Sequence, residues 1–189
     1  AYTILQVLYA NLMPGISEAI SHGYKRLSQY YTAMGYKWGA MISAFVGAVL
    51  LAVADRFILG ASGPEFVRAA TYAVPLILWG VIQFGSWMAD EVQKGANRPY
   101  LRSVMTTLEQ VIRIVLALVL VVRWQISGLI AAYFVGLLTK VLLSYAIDHR
   151  LCFPHRYYAW QSLAAPALAG AAHFAVLRWV TGLIWRGDQ

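Results

Sequence analysis

The chain is 189 residues long, 60% hydrophobic and only 12% charged, with a net charge of +7. A water-soluble domain carries about twice that charged fraction, and the apolar residues here are gathered into long blocks rather than short alternating runs, which excludes an ordinary soluble fold. The basic residues stand singly or in twos and threes between those blocks, as membrane-flanking charges do, so nucleic acid is excluded as a partner and membrane lipid is expected instead. The lone Cys152 leaves no internal disulfide framework.

About 20 mostly apolar residues are needed to cross the hydrocarbon core of a bilayer. The first block of that length, residues 2–20, is interrupted by Asn11, Pro14 and Gly15, and a proline there removes one backbone hydrogen bond and kinks the helix. The stretch 21–37, with His22, Lys25, Arg26 and several tyrosines, reads as an interfacial amphipathic helix. A second span is expected over 38–58, with Asp55 and Arg56 near its far end. Ser62 and Glu65 have the spacing of a capping box and Pro64 suits a first helical turn, so a helix should start there and carry the third span, 69–88, kinked near Pro75.

Residues 90–102 read as a polar connection containing Asp90, Lys94, Asn97, Arg98 and Pro99. The fourth span, 103–122, ends in a very short turn at Arg123, Trp124 and Gln125. A fifth span follows over 126–147, then a polar, basic stretch, then a sixth span over 160–184 with Pro166 inside. The expectation is therefore an all-α, polytopic bundle of about six transmembrane helices forming a single unit over 1–189. The positive-inside rule places the connections after spans one, three and five in the cytoplasm, because they hold most of the Lys and Arg. The chain opens at Ala1 within one apolar block and ends just past another, so it reads as a piece of a longer protein.

Charged residues within spans are the candidates for function, because even on the mildest scale an isolated charge at mid-bilayer costs about 2.5–3.5 kcal/mol. Arg102, Thr106, Glu109 and Arg113 recur at intervals of four, three and four, which puts them on one stripe of a helix. Glu109 and Arg113 form an i,i+4 pair in the favourable order. Such a stripe must face protein or a water-filled cavity; it is either a structural ion pair locking two helices or the wall of a cavity. Lys140, central in the fifth span, has a poor route to snorkel and shares a face with Tyr133, Gly136 and Ser144. It is expected to answer Glu109 or to line the same cavity. Glu18, one turn past Pro14, either caps loosened backbone groups or joins that polar interior.

His149, Cys152 and His155 have a metal-like spacing, but the stretch lacks a fourth ligand and is basic, so no metal is expected. His173 is expected to be a packing residue, and Gly35 and Gly39 to permit close helix approach. No nucleophile elbow, zincin motif or phosphate loop occurs. The chain is therefore not expected to be an enzyme, nor to carry a cofactor.

Short motifs run in order along the chain: Pro14-Gly15-Ile16-Ser17-Glu18-Ala19 closing one helix, Phe57-Ile58-Leu59-Gly60 closing another, Phe66-Val67-Arg68-Ala69-Ala70 near a helix start, Gly95-Ala96-Asn97-Arg98-Pro99 in a connection, and Glu109-Gln110. This order, over about residues 2–150, resembles the multidrug/oligosaccharidyl-lipid/polysaccharide (MOP) flippase superfamily, in particular its polysaccharide-biosynthesis branch. Members have about 12–14 helices in two lobes, so the resemblance implies one lobe, with further sequence beyond it. It also implies transport by alternating access in the cytoplasmic membrane, with no covalent chemistry, of a lipid-linked saccharide or other substrate with an anionic lipid headgroup. Arg113, Lys140 and Arg102 would meet that headgroup, and Glu109 would orient them or engage a coupling ion. Two other readings stay open: a polytopic transferase acting on lipid-linked substrates, and a non-transporting membrane scaffold.

Overall fold

A computed structural model describes residues 2–152 and 157–186, and every element in it is helical. The order is α1 (Tyr2–Ser21), α2 (Lys25–Ser62), a single 3₁₀ turn (Pro64–Phe66), α3 (Val67–Gly95), α4 (Pro99–Cys152) and α5 (Tyr157–Arg186). Three stretches are long and apolar enough to cross a membrane: Lys25–Ser62, Pro64–Gly95 and Pro99–Leu151. In apolar surroundings a helix satisfies all its own backbone groups, and no other open structure does so.

Among the described residues there are five α-helices where about six were expected. The spans expected over 103–122 and 126–147 lie in one helical run, α4, broken only at Gln125, whose φ of 48° and ψ of −126° are non-helical. That one residue reverses the chain, so the two arms of α4 lie side by side. A methyl group on Gly128 would sit 2.3 Å from the Leu120 carbonyl oxygen, and one on Gly136 would sit 3.2 Å from that of Glu109. The expected interfacial helix over 21–37 is not a separate element either. No proline falls between Lys25 and Ser62, so helix, once begun at Lys25, runs unbroken through 38 residues.

The spans expected over 2–20 and 160–184 fall on α1 and α5. One further expectation is corrected. At the start of α3 the Ser62–Glu65 capping box does not form, since neither the 3₁₀ turn nor α3 has a side-chain cap. Gly63, at φ 98°, makes the turn, and the Glu65 carboxylate folds back over it.

Helices α2 and α3 form the centre. α1 lies against both, α5 packs on α2, and α4 packs on α3. The core where α1, α2 and α3 meet is built from Tyr9, Ile16, Ala33, Tyr36, Met88 and Val92. The glycine pair works as expected: a methyl group on Gly35 would overlap the Met88 side chain, and one on Gly39 would strike the Tyr9 hydroxyl. Small residues thus let large ones from neighbouring helices reach the backbone.

Candidate functional site

Three helical segments bring charge together at the α3–α4 interface. Asp90 comes from the last third of α3, Arg102, Glu109 and Arg113 from the first arm of α4, and Lys140 from the second. Lys140 Nζ lies 3.6 Å from Asp90 Oδ1 and 3.7 Å from Glu109 Oε2. These separations are too long for hydrogen bonds but well within ion-pair range. The Arg113 guanidinium pairs with Glu109 and lies over the Tyr133 ring, 4.2 Å from its centroid, a placement the ring quadrupole favours. At the other end Arg102 Nε approaches Asp90 Oδ2 at 3.2 Å.

The result is one continuous row, Arg102–Asp90–Lys140–Glu109–Arg113, with three cations against two carboxylates. Lys140 and Glu109 are each 5% exposed and Asp90 8%, while the Arg102 side chain is 49% exposed. Charges so buried are held only by one another, because each would be costly alone.

A cavity of about 520 Å³ opens beside this row. Tyr9 and Ala10 of α1, Gln83, Ser86, Trp87, Asp90, Glu91 and Lys94 of α3, and Arg102, Thr106 and Lys140 of α4 line it. Its walls differ in chemistry. The α4 side and the end of α3 present Arg102, Lys140 and Lys94, the last paired with Glu91 at 2.5 Å. Asp90 and Glu91 add two carboxylates to that side; the wall of Tyr9, Ala10, Gln83, Ser86 and Trp87 is neutral, and Tyr9 Oη, Gln83 Oε1 and Ser86 Oγ there have no hydrogen-bond partner. A hollow of about 500 Å³ continues the site along the start of α4 and shares Lys94, Arg102 and Thr106 with it. On the opposite side of Trp87 lies an apolar groove of about 460 Å³ between α2 and α3, lined by Val46, Gly47, Leu50, Leu76, Ile77 and Val81 among others. Trp87 therefore borders both a polar and an apolar space.

Of the five residues singled out from the sequence, Arg102 and Lys140 line the cavity. Glu109 and Arg113 do not; Glu109 stands behind Lys140 and pairs with it, and Arg113 pairs in turn with Glu109. Glu18 is apart from all of these, exposed near the end of α1, where its main-chain carbonyl accepts from Ser21 Oγ at 2.9 Å and from the His22 backbone N–H at 3.1 Å. The carboxylate caps nothing there. Residues 153–156 and the Cys152 side chain, which complete the His149–Cys152–His155 spacing, lie outside the described residues. His173 stacks on Phe45 with ring centroids 4.5 Å apart.

Sequence reasoning missed Asp90, the partner of two cations, because it stands just past the apolar block ending at Met88. The signal was present: Gln83, Ser86, Asp90 and Gln93 recur at three, four and three, a polar stripe on one helix face. It also missed Asp148, which is 0% exposed and accepts hydrogen bonds from Tyr36 Oη at 2.7 Å and Gln93 Nε2 at 3.3 Å. Tyr145 meets the Tyr36 ring edge-on at 5.2 Å. Among the described residues no group of three His, Cys, Asp or Glu side chains is placed to hold a metal ion. No known protein family, curated protein or solved structure matches the chain.

Proposed function

We propose that the chain is a multi-pass unit of a flippase-type transporter of the cytoplasmic membrane, moving a saccharide precursor carried on an anionic lipid. The observation that carries this reading is the charged row beside the cavity, with one cation in excess and Arg102, Lys140 and Lys94 on its wall. A phosphate-headed ligand is the natural complement of such a wall, since charge-assisted hydrogen bonds are about twice as strong as neutral ones. The unpartnered hydroxyl and amide oxygens opposite suit a hydroxyl-rich group, and an unpaired buried polar atom gains by finding a partner. The apolar groove across Trp87 suits a hydrocarbon tail. No covalent step is invoked: the site has cations to bind and release, and lacks a nucleophile aligned with a base.

Translocation of a fluorescent polyprenyl-phosphate saccharide by proteoliposomes of the purified chain tests this. Arg102→Gln combined with Lys94→Gln removes two cavity charges from partly exposed positions, so folding is retained. Losing even one charge-assisted contact of about 1.5–3 kcal/mol lowers binding roughly 10–100-fold, and transport at low substrate should fall in proportion. Undiminished transport by the double variant would remove the cavity from the mechanism.

A second reading, a non-transporting scaffold, draws on the fact that every charge in the row is already paired within the protein. It requires the same double variant to leave lipid binding untouched.

A further inference from the structure

The end of α2 remote from Lys25 and Arg26 carries a second, smaller gathering of charge. No charged residue falls between Lys37 and Asp55, roughly 27 Å of helix at 1.5 Å per residue. That is close to the ~30 Å thickness of a bilayer's hydrocarbon core. With Lys37 at one boundary, Asp55 and Arg56 stand at the other, at the depth of lipid headgroups. Arg178 of α5 meets them there: its Nη1 donates to the two Asp55 carboxylate oxygens at 3.2 and 3.0 Å. Arg56 Nη1 donates to the Thr181 carbonyl at 2.6 Å, and the Arg56 backbone N–H donates to Asp55 Oδ1 at 2.9 Å. Two guanidiniums from two helices thus gather around one carboxylate, which leaves the cluster with a positive charge in excess.

A hollow of about 390 Å³ opens beside the cluster, lined by Val53, Arg56, Phe57, Gly60 and Ala61 of α2 and Thr181 of α5. Its wall is apolar apart from Arg56 and Thr181. Gly60 keeps it open, since a methyl group there would meet nothing within 4 Å, and Phe57 stands 72% exposed beside it. The hollow lies at the end of the seam through which α5 is held, because α5 packs chiefly on α2. It shares no lining residue with the charged cavity.

We infer that this hollow at the α2–α5 seam seats one anionic phospholipid, its phosphate on Arg56 and Arg178 and an acyl chain along Val53, Phe57 and Gly60. Charge complementarity names the occupant. Arginine's planar fork suits phosphate oxygens, and basic pockets between membrane helices hold anionic headgroups. The excess cation answers the single negative charge of a phosphatidylglycerol headgroup, whereas a zwitterionic lipid brings no net charge to match it. A lipid seated there braces α5 against α2. The site stands apart from the charged row on α4 and does not depend on the transport reading, since it takes a bulk membrane lipid and no transported substrate.

The test is thermal melting of the purified full chain in neutral detergent, titrated with phosphatidylglycerol or with phosphatidylcholine of the same acyl chains. A ligand that binds only the folded state raises the melting temperature in a concentration-dependent way. The wild type should rise more with phosphatidylglycerol, and glycerol phosphate, a headgroup without chains, should give no rise. Arg56→Gln should need about tenfold more phosphatidylglycerol for the same rise, the loss of one charge-assisted contact. Gly60→Leu fills the hollow from a position with room for a side chain; it should melt no lower than the wild type without lipid and lose the response. The cavity variant, Arg102→Gln with Lys94→Gln, should keep it. The inference is overturned if the two lipids act equally, if Arg56→Gln or Gly60→Leu responds as the wild type does, or if glycerol phosphate reproduces the effect. It is overturned equally if the cavity variant loses the response, which would put the lipid in the cavity, or if Gly60→Leu abolishes self-association instead, which would put a second copy in the hollow. Should Arg56→Gln fail to fold, Gly60→Leu decides.

Discussion

The two faces of the central helix pair solve the same problem, binding a long helix, in opposite ways. Where α5 packs on α2 the contact is made by small residues and closes on the backbone: a methyl group on Gly170 would lie 2.7 Å from Ala44 Cβ. An ion pair there, Arg178–Asp55 at 3.0 Å, is 46% and 39% exposed. Arg56 adds a hydrogen bond to the Thr181 carbonyl at 2.6 Å. Where α4 packs on α3 the contact is built on buried charge, three cations and two carboxylates in a row. The first interface needs only shape. The second spends stability on groups that an apolar packing would not need, and it is the one with a cavity beside it.

The largest expected difference between the faces follows from Lys140. Lys140→Met keeps the length of the side chain and strips Asp90 and Glu109 of the cation they share. Breaking a buried pair of this kind costs about 3–5 kcal/mol, to be read as a loss of stability in chemical or thermal unfolding of the purified protein. On the other face, Gly170→Val forces side-chain atoms into Ala44 and should cost about 1–3 kcal/mol by overpacking, with no change in lipid binding. The smallest effect belongs to Arg178→Ala, whose exposed ion pair is worth at most about 1 kcal/mol. Equal losses from Lys140→Met and Arg178→Ala would erase the distinction between the interfaces.

How far the sequence leads follows from the same residues. Blocks of apolar side chains mark the long helices directly, and the stripe from Arg102 to Arg113 marks the polar face of the first arm of α4, because helical periodicity is a local property. The partner of that stripe is less legible. Asp90 and Asp148 stand at the ends of apolar blocks, where a charge is ordinarily a flanking residue at the membrane surface. Only the continuation of α3 to Gly95 and of α4 to Cys152 carries them inside, and that continuation depends on the absence of a breaker rather than on any positive signal. The reversal at Gln125 falls within the short turn that the polar Arg123, Trp124 and Gln125 mark between two apolar blocks, although no Gly or Pro occupies it and the glycine that permits it, Gly128, lies three residues on. Glu18 is a different case: the sequence left it between capping loosened backbone groups and joining the polar interior, and it is exposed near the end of α1, apart from the charged row.

The central claim is that the charged α3–α4 interface exists to hold a ligand and not only to join helices. Arg102 is the residue on which the two roles separate, because it lines the cavity while its half-exposed side chain contributes little to stability; Asp90 keeps Lys140 without it. The decisive measurement is the melting temperature of the purified chain with and without a polyprenyl phosphate, for the wild type and Arg102→Gln. The account predicts equal melting temperatures without lipid, a clear rise on adding lipid to the wild type, and a much smaller rise for Arg102→Gln at the same lipid concentration. An equal rise in both proteins, or none in the wild type, would contradict it and leave the row of charges as a lock between helices.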